Sequence, residues 1–310
     1  MKFAFVFPGQ GSQSIGMMQP FADSKAVRAV FAEASDALGQ DLWQLVADGP
    51  AEALNATVNT QPVMLAAGYA VYRAWRDAGG PEPALVAGHS LGEYTALVAA
   101  EALAFRDAVP LVRYRAQAMQ EAVPVGEGAM AALLGLEDDA VNAACREAAQ
   151  GQVVEAVNFN APSQVVIAGH KAAVERGVAV ARAKGARRAI MLPVSAPFHS
   201  SLLKPAADKL AARLDSIAVS APRIPVVNNV DVAMESESRR IKDALARQAC
   251  NPVRWVEVVR RIAGAGVAHV VECGPGKVLA GLTKRIEGSL QGYAITDPRS
   301  LELTLQALKS

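Results

Sequence analysis

The chain reads as an α/β protein: a largely parallel sheet covered by helices, with a smaller ferredoxin-like βαββαβ unit inserted into it. Two observations predict this. Short apolar runs alternate with helical periodicity through most of the sequence. Between about residues 125 and 193 that alternation gives way to strand, helix, strand, strand, helix, strand, the order of a ferredoxin-like unit. At 310 residues and 52% hydrophobic content the chain exceeds one ordinary compact domain. Residues 1–124 and 194–310 are therefore expected to form one discontinuous large domain around a small subdomain at 125–193, bracketed by Pro124 and Pro193.

Phe3 to Phe7 is the first strand, running into the turn Pro8-Gly9-Gln10-Gly11-Ser12. A helix follows from about Thr60, with Thr60 as N-cap, Pro62 in its first turn and Gly79-Gly80 at its end. Ala84 to Ala87 is a short second strand and the apolar stretch from Leu91 is helical, which puts Gly88 to Gly92 on a strand-to-helix turn. Another helix runs from Asp107, with Pro110 in its first turn. The inserted unit comprises Ala129 to Leu134, Asp138 to Gln150, Val153 to Phe159, Gln164 to Ala168, Lys171 to Lys184 and Arg188 to Leu192. Beyond it come a helix from Ser201, a strand at Ile224 to Val227, helices near Lys242 and Val253, and a strand at His269 to Val271.

With 31 Lys+Arg against 30 Asp+Glu, there is no one-signed field to recruit nucleic acid or an anionic membrane. The first apolar run is too short for a signal-peptide core, and no stretch approaches a membrane span; Tyr94 to Phe105, the nearest, contains Glu101 and reads as a buried helix. A soluble, cytoplasmic protein is expected. Cys145, Cys250 and Cys273 form no CxxC pair or Cys/His cluster, so they read as reduced, buried and inert, and no metal site is expected.

Gly88-His89-Ser90-Leu91-Gly92 satisfies G-x-S-x-G with a strand before it and an apolar helix after it, the α/β-hydrolase-like context that exposes a nucleophilic serine on a sharp turn. A serine hydroxyl needs a base, and four histidines are available. His89 adjoins Ser90 and should point elsewhere, in a packing or hydrogen-bonding role. His170 starts a helix as a surface or capping residue, and His269 leads into a strand. His199 is left, in Ser195-Ala196-Pro197-Phe198-His199-Ser200, a loop at the domain junction. No carboxylate stands out as a third member; Asp231 or a backbone or amide oxygen could orient the imidazole. Arg115 shares a stripe with Ala108, Leu111, Val112, Ala118 and Met119, which places a guanidinium in a core-facing row, whereas Arg106 and Arg113 read as solvated. Arg115 is then either a structural ion pair or a fork for an acidic substrate. Gly274-Pro275-Gly276-Lys277 and Gly9 to Gly16 lack the spacing of nucleotide loops and read as tight turns.

Phe7-Pro8-Gly9-Gln10-Gly11-Ser12-Gln13, Gly88 to Tyr94 (GHSLGEY) and Gly274 to Lys277 (GPGK) together resemble the malonyl-CoA:acyl carrier protein transacylases of bacterial type II fatty-acid synthesis, throughout the chain. The resemblance implies malonyl transfer to acyl carrier protein, with malonyl-CoA and CoA as substrate and product and no cofactor, in a protein expected to be a monomer. It implies Ser90 as nucleophile, His199 as base and the Gln248 carbonyl as orienter. Backbone amides of Gln10 and Leu91 would form the oxyanion hole, and Arg115 would hold the malonyl carboxylate. Leu91 and Phe198 match positions associated with malonyl over methylmalonyl selectivity, and Asn160, within a segment resembling the family's small subdomain, is placed to approach the substrate. Ala196-Pro197 departs from the family's pattern. The rivals are the same chemistry serving a polyketide synthase or malonate decarboxylase, a G-x-S-x-G hydrolase, and a non-catalytic docking module for a carrier protein.

Overall fold

A computed structural model describes residues 1–194 and 196–309. Strand β1 (Phe3–Phe7) is followed by α1 (Lys25–Leu38), α2 (Leu42–Asp48), α3 (Ala51–Asn55), the long α4 (Thr57–Asp77), β2 (Leu85–Gly88), α5 (Gly92–Ala99) and α6 (Phe105–Glu121). Then come β3 (Gly128–Leu134), α7 (Asp138–Ala149), β4 (Val154–Ala161), β5 (Gln164–His170), α8 (Lys171–Ala183) and β6 (Arg188–Met191). The chain continues through α9 (Lys204–Asp215), β7 (Val226–Val227), α10 (Ser238–Gln248), α11 (Trp255–Gly264), β8 (His269–Cys273), α12 (Val278–Ile286), β9 (Gln291–Ile295) and α13 (Pro298–Lys309).

The larger sheet is parallel, in the order β7-β2-β1-β8-β9. All five residues of β1 are buried, because helices cover both faces, and so the strand reads as an unbroken apolar run. Its residues still alternate between two cores. Phe3, Phe5 and Phe7 pack with Trp75 of α4 and the α1, α5 and α6 side chains, whereas Ala4 and Val6 meet Trp255, Val258 and Ile262 of α11. The C-terminal ends of β1, β2 and β7 open on one side of this sheet, where ligands of open α/β sheets bind.

The four strands between residues 128 and 191 form an antiparallel sheet in the order β4-β5-β3-β6, the ferredoxin-like arrangement expected. Helices α7 and α8 cover one face. The opposite face carries Met130, Val157, Val166 and Ala168, packed with Leu192, Val194 and Phe198.

Several expectations are corrected. Helix α4 begins at Thr57, and the Thr60 hydroxyl donates back to the Leu54 and Ala56 carbonyls instead of capping an N–H. Pro62 therefore lies inside the helix, where its missing N–H frees the Val58 carbonyl. Arg113 Nε donates to that carbonyl at 3.2 Å, and its Nη2 donates to Gln40 Oε1 and Asn59 Oδ1, so Arg113 is a part-buried brace and not a solvated cation. Tyr94 to Phe105 is not one helix: α5 stops at Ala99, Glu101 takes φ +59°, and α6 starts at Phe105, two residues before the expected Asp107. Pro110 thus lies two residues further into α6 than expected. Strand β7 is only Val226–Val227. Cys145 and Cys273 are buried thiols, but Cys250 is only partly buried. Among the described residues no helix is long and apolar enough to cross a membrane.

Candidate active site

Ser90 sits between the last residue of β2 and the first of α5 at φ +52°, a left-handed conformation that a non-glycine residue holds only when its surroundings impose it. Close packing imposes it here. A Cβ on Gly88 would fall 1.8 Å from the Gly92 carbonyl carbon, and one on Gly92 would fall 2.1 Å from the Phe7 oxygen, so only glycine fits at either end of the turn. The Ser90 peptide is gripped from both sides: its N–H donates to Asn229 Oδ1 at 2.7 Å, and its carbonyl accepts from Gln248 Nε2 at 3.0 Å.

The structure brings His199 to this serine from 109 positions away, with Nε2 2.8 Å from Ser90 Oγ. The other ring nitrogen, Nδ1, lies 2.8 Å from the main-chain oxygen of Gln248. A carbonyl can only accept, so Nδ1 carries the proton and Nε2 is free to take one from Ser90. Burial, aided by the positive charge of Arg115, pushes the His199 pKa down to about 3, which keeps the imidazole neutral. Asp231 takes no part: it is paired with Arg247 at 2.7 Å. In the loop before His199, Ser195 lies outside the described residues. The Ala196-Pro197 departure has a partner, since the Pro197 ring packs where a Cβ on Gly128 would stand, 2.4 Å away.

Arg115 is 2% exposed on α6 and faces the same serine. Its Nη2 donates to Ser90 Oγ at 3.1 Å and to Gln248 Oε1 at 2.9 Å, and Nη1 donates to Gln61 Oε1 at 2.9 Å. The guanidinium carbon also lies 5.4 Å from the centre of the Tyr94 ring. No carboxylate pairs with it among the described residues, so it is not a structural ion pair.

Ser90, His199, Arg115, Gln10, Leu91, Asn160 and Phe198 all border one cavity of about 780 Å³, whose outer wall comes from the ferredoxin-like sheet through Met130, Val166 and Leu192. The main-chain N–H groups of Gln10 and Leu91 make no hydrogen bond among the described residues. Gly9 lies so close to His89 that a Cβ would meet its carbonyl oxygen at 2.5 Å, and the Gly274–Lys277 turn packs on Pro8 and Ser12, so the Gln10 loop is backed on two sides. His89 points away from Ser90 and bonds Asn160 Oδ1 at 2.8 Å. His170 Nδ1 accepts from the Val153 amide, and His269 packs on Tyr293.

Three residues at the site went unread in the sequence: Gln61, Glu93 and Asn229. Glu93 left a signal, as an acid inside an apolar helix, and Asn229 stands just past the C-terminal end of β7. Gln61 left none. Among the described residues no group of three or more His, Cys, Asp or Glu is placed to hold a metal ion.

An acyl transferase domain model matches residues 4–291. A malonyl CoA-acyl carrier protein transacylase from Escherichia coli is 57% identical over 306 residues, 98% of this chain and 99% of that one. The chain belongs to this acyl transferase family. An acyl-carrier-protein S-malonyltransferase from Burkholderia pseudomallei superposes with a TM-score of 0.98 at 68% identity, covering 99% and 100% of the two chains. A malonyl-transacylase solved in complex with its type II PKS acyl-carrier protein superposes with a TM-score of 0.98 at 53% identity, covering 99% and 100%. The serine turn, the neutral imidazole and the buried guanidinium thus lie in an acyltransferase.

Proposed function

We propose that the chain moves a malonyl group from malonyl-CoA to the phosphopantetheine thiol of an acyl carrier protein through an ester on Ser90, supplying fatty-acid chain elongation. One observation carries this reading: a buried guanidinium with no carboxylate partner among the described residues donates to the same Ser90 oxygen that meets the His199 imidazole. A serine acyltransferase needs the first pairing for chemistry; an acyl group ending in a carboxylate needs the cation. The names borne by the relatives agree with it.

In the first half-reaction His199 Nε2 takes the Ser90 proton as Oγ attacks the thioester carbonyl. The oxyanion forms against the Gln10 and Leu91 amides. Its collapse expels the CoA sulfur, which leaves with the proton from His199. In the second half the carrier thiol gives its proton to His199 and attacks the Ser90 ester, and the proton returns to Ser90. The malonyl carboxylate on Arg115 also offsets the positive charge that helps hold His199 neutral, so the imidazole becomes a stronger base when the correct substrate is in place.

Intact-protein mass after brief exposure to malonyl-CoA tests the proposal. Wild type is expected to gain one malonyl group and lose it to added holo carrier protein, and Ser90→Ala is expected to gain none. Rapid loss of the adduct to water would make the chain a hydrolase.

A further inference from the structure

Glu93 lies on the first turn of α5, three residues past Ser90 and 2% exposed. A carboxylate there is expensive to bury, and burial pushes its pKa up to about 7. A leucine or methionine would suit the apolar helix better, so the acid calls for a specific use. Its Oε2 accepts from the Asn229 main-chain N–H at 2.8 Å and from Gln248 Nε2 at 2.9 Å. These two residues hold the left-handed Ser90 peptide. Asn229 bonds the Ser90 N–H and, through Nδ2, the Gly88 carbonyl at 2.7 Å. Gln248 bonds the Ser90 carbonyl, receives Arg115 on Oε1 and offers its main-chain oxygen to His199. One carboxylate oxygen therefore ties together the groups that fix the serine, the arginine and the imidazole.

We propose that Glu93 is a positioning residue for acyl transfer, using Asn229 and Gln248 as two arms that hold the Ser90 peptide and align its hydroxyl with His199. The inference rests on the reading of Ser90 as nucleophile. Without Glu93 the arms lose their common anchor, and Gln248 can turn to follow Arg115 alone. The Ser90 peptide can then tilt within its closed turn, and its hydroxyl drifts out of line with His199. The cavity and the cation that bind the substrate stay in place, so the loss falls on the chemical step and not on binding.

The test is single-turnover acylation by malonyl-CoA, followed by intact mass across substrate concentrations, for wild type, Glu93→Ala and Glu93→Gln. Glu93→Ala is expected to acylate roughly 100-fold more slowly, the cost of an angstrom-scale misplacement, with half-saturation by malonyl-CoA little changed. Glu93→Gln keeps one acceptor oxygen in the same shape and is expected to recover most of the rate. An Ala variant that acylates as fast as wild type would overturn the proposal, as would a loss carried entirely by weaker saturation. If Glu93→Ala fails to fold, Asn229→Ala decides: it cuts the arm's bonds to the Ser90 N–H and the Gly88 carbonyl while Glu93 stays, and should slow acylation roughly 10-fold or more with half-saturation little changed. An unchanged rate, or a loss carried entirely by weaker saturation, would overturn the proposal. In every variant the adduct still forms on Ser90 given time; its absence from wild type would instead defeat the transfer reading itself.

Discussion

Ser90 and His199 both sit at positive φ, +52° and +66°, yet the turns beneath them are held by different means. The serine turn is closed by backbone packed on backbone, with Gly88 against Gly92 and Gly92 against Phe7. The histidine turn joins the antiparallel unit to the rest of the chain and is held largely by side chains: a proline ring on Gly128, the Ser200 hydroxyl on the Pro197 carbonyl, Ser201 on Glu155, and the His199 ring on the end of α10. Contacts between main chains cannot yield, whereas a ring on a loop can slide. The first turn is therefore inseparable from the fold, and the second is adjustable.

The largest effect should come from closing the rigid turn's space. Gly88→Ala drives a methyl group into the Gly92 peptide, with no side chain to move aside, and should cost on the order of 4 kcal/mol or more. Denaturant titration measures it, and a loss under about 1 kcal/mol would show that this turn yields after all.

Arg115 touches one turn directly and the other through its field. Arg115→Ala should slow malonyl transfer roughly 100- to 1000-fold while sparing acetyl transfer, read from parallel assays with the two acyl-CoA donors. The same variant sharpens the pH dependence. A cation opposes protonation of His199, so the acid limb of kcat/KM should lie well below pH 6.5 in wild type and move upward once Arg115 is removed. A limb that stays in place would mean that burial alone keeps the imidazole neutral.

The smallest effect tests the adjustable turn. Gly128→Ala pushes on the Pro197 ring and should displace His199 by a fraction of an ångström, lowering acylation roughly 10-fold with little loss of thermal stability. Equal losses of stability in Gly128→Ala and Gly88→Ala would erase the distinction between the turns.

The same contrast governs how much was legible in the sequence. The serine turn is written in five consecutive residues, because the glycine packing that closes it lies on the strand and helix at its two ends and on Phe7. The parallel sheet and the βαββαβ block were legible as periodicity. The arginine stripe was readable because helical spacing fixes which face Arg115 shares. His199 was reachable by setting aside the other three histidines; the residues alone left its orienter open between Asp231 and a main-chain or amide oxygen, and only the family resemblance pointed to the Gln248 carbonyl, which lies 2.8 Å from Nδ1 at the end of α10. Glu93, Asn229 and Gln61 are joined to their partners across 54 to 155 positions, and nothing in local spacing reports such bonds. The early helices α1, α2 and α3 and the final α12, β9 and α13 went unclaimed, and the start of α4 was misplaced because Thr60 has the chemistry of a cap but donates its hydroxyl back to the Leu54 and Ala56 carbonyls.

That the imidazole leans on a main-chain oxygen has a consequence for anyone mapping this protein by mutation. Substitution can delete Ser90 or His199, but no change of side chain at position 248 removes the acceptor, because every amino acid supplies the same carbonyl. An alanine scan will flag Gln248 for what its amide does to Ser90 and Arg115, and the orienting contact will pass through the screen unmarked. Only a change that shifts the end of α10 would expose it.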